Sequence, residues 1–275
     1  VLDGKFRRPV LVWRVEVASE QPDMAPAGFE YRIDALSGRL SSRHTSIHHF
    51  EVSGNVKSMA SPGLAPDTTS NPETQQNVVN ALVTSAQGNA TTDASGNFVI
   101  LGATEPVDVT VEYSGAYCNT GNQAASDYSL IQTLTLPSGN SLLMNPTGTA
   151  FTTAEANAFV WANKLRDWTR AVNPADNKAD FVNLCNVNIA SSCNAYYNGT
   201  STNFYQAGGG CANTAYSTIV VHETGHWLNA RYGSGNGADG FGEGNSDVFA
   251  MYLGDNPIVG LNFCGTNCNV RTGNN

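Results

Sequence analysis

Hydrophobic and polar positions divide the 275-residue chain into three stretches of different texture. Residues 1–50 read as strands. LVWRVEV, with Val10 before it, sets Val12, Val15 and Val17 in an extended run, and FEYRIDA alternates Phe29, Tyr31, Ile33 and Ala35 on one face. A loop rich in Pro and Ala, Gln21 to Gly28, separates the two, and Asp34 to Gly38 supplies turn chemistry after the second.

Residues 51–117 alternate over shorter spans. Strand candidates at Phe50–Val52, Val78–Thr84, Phe98–Leu101 and Val107–Tyr113 are separated by Ser61-Pro62-Gly63, Gln87-Gly88-Asn89 and Ser95-Gly96-Asn97. This spacing predicts a small antiparallel β-sandwich, an accessory module without a catalytic cluster. From residue 118 to 275 the period becomes helical. Ala158, Trp161, Leu165, Trp168 and Val172 repeat at helical spacing behind a Thr152/Glu155 capping box, and Pro174 ends the run. A second helix is predicted from Ser217 to Tyr232 with Gly233 as its stop, and a third from near Glu243 to Gly254. The expected class is α+β with three parts: 1–50, 51–117 and 118–275.

Composition narrows the function classes. A net charge of −9 and a pI near 4.9 argue against nucleic acid or an anionic membrane as partner, since both require a basic face. No apolar run approaches the ~18 residues of a transmembrane span. The chain opens at Val1 without a signal segment, so a leader already removed, or a fragment, is expected. Charged residues are only 13%, and about 30 Asn, with Ser, Thr and Gly, are expected to form the polar surface instead. Six cysteines, an even number, suit disulfides in an oxidising, extracellular setting, with about 15 possible pairings. Asn89-Ala-Thr91 and Asn198-Gly-Thr200 are glycosylation sequons for a eukaryotic secretory host.

The chemistry is concentrated in the second helix. His222-Glu223-Thr224-Gly225-His226 is an H-E-x-x-H pattern. Residues four apart share a helix face, so both imidazoles can reach one cation, with Glu223 beside it as a proton acceptor. Ile219, Val220, Val221, Trp227 and Leu228 surround the motif, and buried His and Glu need partners. Two imidazoles favour zinc, which then requires a third protein ligand. WLNARY after His226 excludes the H-E-x-x-H-x-x-G-x-x-H alternative, and Glu243 in GEGNSD is the best downstream candidate. Asp247, one turn further, is placed to accept the outer N–H of His222. His44, His48 and His49 are remote in sequence.

With these residues together, the chain resembles the gluzincin metallopeptidases of the thermolysin and fungalysin type. VVHETGHWLN is similar to their active-site helix, and GEGNSD to their third-ligand helix. CNAYYNG, from Cys193, resembles the edge strand that binds substrate backbone, which implies that role for Asn194 and Ala195. LVWRVEV with YRIDALSGRL resembles the end of a propeptide module, and the segment from Arg39 to His49 is where a pro-segment would join. The family adds a cleft-closing subdomain carrying a histidine, but here no His follows His226. Gly237 stands at the family's helper tyrosine, and Tyr232 is off register. A missing C-terminal segment or a second chain is therefore expected to complete the cleft. In this layout Cys193 and Cys211 staple the edge hairpin, Cys264 and Cys268 close a small loop, and Cys118 and Cys185 form a longer link. Calcium is a further expected ion at Asp176-Asn177 or Asp255-Asn256.

The combined expectation is a secreted zinc-dependent metalloendopeptidase. It would act on a peptide or protein substrate through a zinc-activated water, with Glu223 as general base. The alternative is an extracellular structural or adhesive protein on a peptidase-derived fold, with a zinc site and little activity.

Overall fold

In the computed structural model, residues 11–19, 27–45, 50–103, 106–135 and 139–274 are described. Two units divide the chain: Val1–Phe50 with Gly102–Thr104, and Glu51–Leu101 with Glu105–Asn275. The class is α+β.

The first unit carries an antiparallel three-stranded sheet, Val12–Ser19, Ala27–Asp34 and Leu40–Thr45. Its register sets Trp13 opposite Ile33, Val15 opposite Tyr31 and Val17 opposite Phe29, so the period-two pattern collects the large apolar residues on one face. The other face is charged, with Glu30 bonded by Arg14 at 2.9 Å and by Arg32 at 2.8 Å. Asp34 closes the turn by accepting from the N–H groups of Leu36 and Ser37. His44 lies on the third strand; His48, His49 and most of the loop from Gln21 fall outside the described residues.

The second unit contains two larger sheets. One runs Ala195–Tyr197, Thr202–Tyr205, Asn183–Ile189, Cys118–Asn122, Val107–Gly115, Ala81–Ser85, Ala90–Thr91, with Ser129–Leu134 also paired to Val107–Gly115. The other centres on Phe50–Ala60, flanked by Asn140–Met144, Thr74–Asn77 and Asn97–Ala103. The border expected between residues 117 and 118 therefore falls inside one sheet, where Asn119 lies opposite Ser114. Residues 51–117 contribute strands to both sheets, and so do residues 118–275. Short alternating strands look alike in an isolated sandwich and in a shared sheet, and pairing alone separates the two.

Three helices cover this unit: α1 (Ala150–Val172), α2 (Ser217–Tyr232) and α3 (Phe241–Gly254). The cap of α1 lies three residues earlier than the sequence suggests. Thr149 Oγ1 accepts from the Thr152 N–H, and Thr152 Oγ1 accepts from the Thr149 N–H. Glu155 is instead fully buried and holds the Asn122 amide and the Tyr128 N–H. The asparagines also depart from the surface role expected of them, since eight of them are buried. A side-chain amide both donates and accepts, so chains such as Asn213 to Asn188 to Asn122 to Glu155 keep each other satisfied.

Candidate metal centre

Helix α2 is buried on nearly every side, with Ile219, Val220, Val221 and Leu228 in the core. His222, Glu223 and His226 are consequently buried with it. Gly233, at φ 78°, ends the helix in the left-handed region and sends its N–H back to Ala230 and Asn229. Asn183 ties the helix to the sheet, donating to Thr224 at 2.8 Å and accepting from Thr202 at 3.0 Å.

The four-residue spacing places His222 Nε2 3.1 Å from His226 Nε2. Glu243, in the first turn of α3, brings Oε2 to 3.3 Å from His222 Nε2 and Oε1 to 3.3 Å from His226 Nε2. These three residues could hold a metal ion. The helices meet closely because α2 has Gly225 at the crossing; a Cβ there would lie 3.0 Å from Ser246 Cα.

Each imidazole has a partner on its outer side. His226 Nδ1 lies 2.9 Å from Asn236 Oδ1, and Asn236 Nδ2 donates to the His226 carbonyl at 2.9 Å. An amide oxygen only accepts, so Nδ1 carries the proton and the lone pair sits on Nε2. Burial also lowers the pKa of His226, which favours the neutral ligand form. His222 Nδ1 lies 2.8 Å from Asp247 Oδ1; the distance suits a hydrogen bond, but the pair is not aligned for a straight one and acts as a close polar contact. Burial pushes the Asp247 carboxyl up, yet the contact with His222 and the charge of Arg271 outweigh this and leave it below the ordinary value. Arg271 spans both carboxylates, 2.8 Å from Asp247 Oδ1 and 3.0 Å from Glu243 Oε2.

Glu223 faces the same space. Burial pushes its carboxyl up to about 7, with Glu243 adding to the shift, while His222, Arg271 and the N–H of Tyr197 pull the other way. That N–H belongs to Ala195–Tyr197, the outermost strand of its sheet. Asn194, Ala195, His222, Glu223, His226 and Glu243 all line one cavity of about 390 Å³. Ile219, Val259, Phe263 and Val270 form an apolar wall on it.

The structure thus gathers His222, Glu223, His226, Glu243, Asp247, Asn194 and Ala195 in one place. Asn236, Arg271 and the wall from Val259 to Val270 were not anticipated. Arg271 reaches the site because its two-residue strand pairs with Ile258–Val259, a pairing too short to leave a periodic signal. Tyr232 points elsewhere, donating to Asp176. Cys193–Cys211 and Cys264–Cys268 are disulfides. Cys118 and Cys185 are not linked; they are buried thiols with sulfurs 3.6 Å apart, on parallel strands offset by two residues. Among the described residues neither calcium candidate gathers further carboxylates: Asp176 accepts from Lys178 N–H and Tyr232 OH, and Asp255 ends α3. No helix among the described residues is long and apolar enough to cross a membrane. Comparison with family models and with curated proteins finds no match for this chain.

Proposed function

We propose that this chain is a secreted zinc-dependent metalloendopeptidase of gluzincin type. The reading is carried by one observation, the triangle of His222, His226 and Glu243 facing Glu223 across a cavity edged by an open strand. The imidazole nitrogens lie 3.1 Å apart, and Glu243 places Oε2 3.3 Å from His222 Nε2 and Oε1 3.3 Å from His226 Nε2. Ligand atoms arranged tetrahedrally at about 2.0–2.1 Å from zinc lie about 3.3 Å apart, so the residues present fit that ion. Two imidazoles and a carboxylate leave a fourth position open, and zinc held there supplies an activated water and a polarised carbonyl.

The protein's own groups supply the rest. The Glu223 carboxylate accepts a proton and returns it to the leaving amine. Asn194 and Ala195 hold the peptide backbone, and the open edge at Ala195–Tyr197 lets an extended peptide add as a further strand. The wall of Ile219, Val259, Phe263 and Val270 takes an apolar side chain. Asn236 and Asp247 orient the imidazoles, and Arg271 holds Glu243 and Asp247 in register. In this reading the three-stranded first unit is the propeptide-like part.

The test is metal content and casein hydrolysis of the wild type and of Glu223→Gln. About one zinc per chain in both, with hydrolysis in the wild type and a loss of about 10²–10⁴-fold in the variant, is the expected outcome. Zinc without hydrolysis in either form would favour the structural protein, and absence of zinc would remove the metal reading altogether.

A further inference from the structure

A second cavity, of about 260 Å³, lies in the same unit one disulfide away from the first. Cys193 lines the first cavity, and Cys211, to which it is bonded, lines the second. Phe263 and Asn262, consecutive in the chain, divide between them in the same way. The second wall mixes polar and apolar groups: Asp67, Thr68, Asn157, Asn213 and Asn262 stand among alanines, glycines and Tyr216. The three amides are already engaged: Asn157 with Ser61, Asn213 with Asn188 and the N–H of Ala215, and Asn262 with the N–H of Asn267.

Asp67 differs from its neighbours. It is the charged residue on this wall, and among the described residues it has no ion pair and no hydrogen bond. Partial burial, with the charge of Glu73 nearby, pushes its carboxyl up. A carboxylate so placed is stabilised by an incoming cation. A peptide laid on Ala195–Tyr197 and continued past Asn194 runs to the Cys193–Cys211 bridge. The Cα atoms of the bridge are 5.3 Å apart. An extended chain advances about 3.3 Å per residue, so a peptide that reaches the bridge is a few residues beyond its pairing with Ala195–Tyr197.

We propose that the second cavity is a remote subsite that receives a lysine or arginine side chain of a peptide bound at the edge strand, with Asp67 as its counter-charge. The proposal rests on the peptidase reading above. A long apolar stem tipped with a cation suits a cavity of mixed lining that holds one carboxylate.

The experiment moves a single lysine through an otherwise neutral peptide series and measures kcat/KM for the zinc-loaded protein and for Asp67→Asn. One lysine position, about two to four residues from the cleaved bond, should raise kcat/KM about tenfold, through KM. Asp67→Asn should erase that gain and cleave the all-neutral peptide at the wild-type rate. A flat series, or a gain that survives Asp67→Asn, overturns the subsite. Fluorescence anisotropy of the same peptides separates this outcome from failure of the catalytic reading. If nothing is cleaved but the lysine peptide binds about tenfold tighter, and only while Asp67 is present, the subsite stands and hydrolysis falls. Calcium binding that depends on Asp67, without any lysine preference, overturns the proposal in favour of a cation site.

Discussion

Helices α2 and α3 contribute to the same three-residue group under different constraints. On α2 the imidazoles of His222 and His226 are only 6% and 10% exposed, on a helix that is buried along most of its length. On α3 the Glu243 carboxylate is 56% exposed, and of its helix only Gly242, Ser246 and Ala250 are buried. Folding the core therefore places the imidazoles, whereas the carboxylate is placed by what it touches: the two imidazoles and Arg271. A buried side chain loses its alternatives when the core packs, while an exposed one keeps several rotamers and needs a partner to choose among them.

The comparison is broken most severely by removing a ligand from each helix in turn. His226→Ala deletes a ligand that the fold holds rigidly and strands the Asn236 amide. Glu243→Gln leaves a neutral oxygen in reach of the same point. Zinc affinity, measured by competition with a chelator, should fall in both, and further in His226→Ala. Equal losses would show that α3 fixes its ligand as firmly as α2. Asn236→Ala addresses the outer side. An outer partner of a ligating imidazole is worth about 10–100-fold in metal affinity, so a loss in that range is expected, with the circular dichroism of the wild type retained. An unchanged affinity would mean that burial alone sets the ring of His226.

The α2 half of this arrangement was legible in the sequence because it depends on local spacing. Four residues set the two imidazoles on one face, and Gly233 marks the end of the helix with a residue that only a left-handed cap requires. Asp247 was legible from Glu243 by the same helical rule, and Glu243 as the downstream carboxylate that a third ligand requires. Asn236 and Arg271 were not, because each acts through a contact between segments distant in sequence, and one Asn among 30 carries no pattern of its own. The strands of 51–117 were legible as strands but not as members of a shared sheet, since alternation specifies a buried face without naming the neighbour. Cys118 and Cys185 were rightly brought together, yet their sulfurs stop 3.6 Å apart as thiols, a distinction that no count of cysteines contains.

The mildest test concerns the crossing of the two helices. Gly225→Ala adds a Cβ 3.0 Å from Ser246 Cα and 3.1 Å from its Cβ and Oγ. A backbone atom cannot swing aside, so α3 must shift. Two terms oppose each other: alanine in a helix gains about 1 kcal/mol over glycine, and overpacking costs about 1–3 kcal/mol. The net lies between no change and a loss of about 2 kcal/mol, a fall in Tm of up to about 4–8 °C. Zinc affinity should change little, because the exposed Glu243 carboxylate is set by the imidazoles and Arg271 and can follow them as α3 shifts. Gly244→Ala on α3 is the control: a Cβ there meets nothing within 4 Å. It should raise Tm through the helical preference alone and leave the metal in place. If Gly225→Ala lowers Tm but binds zinc as the wild type does, Glu243 follows its partners rather than its helix, and the contrast between α2 and α3 becomes sharper still.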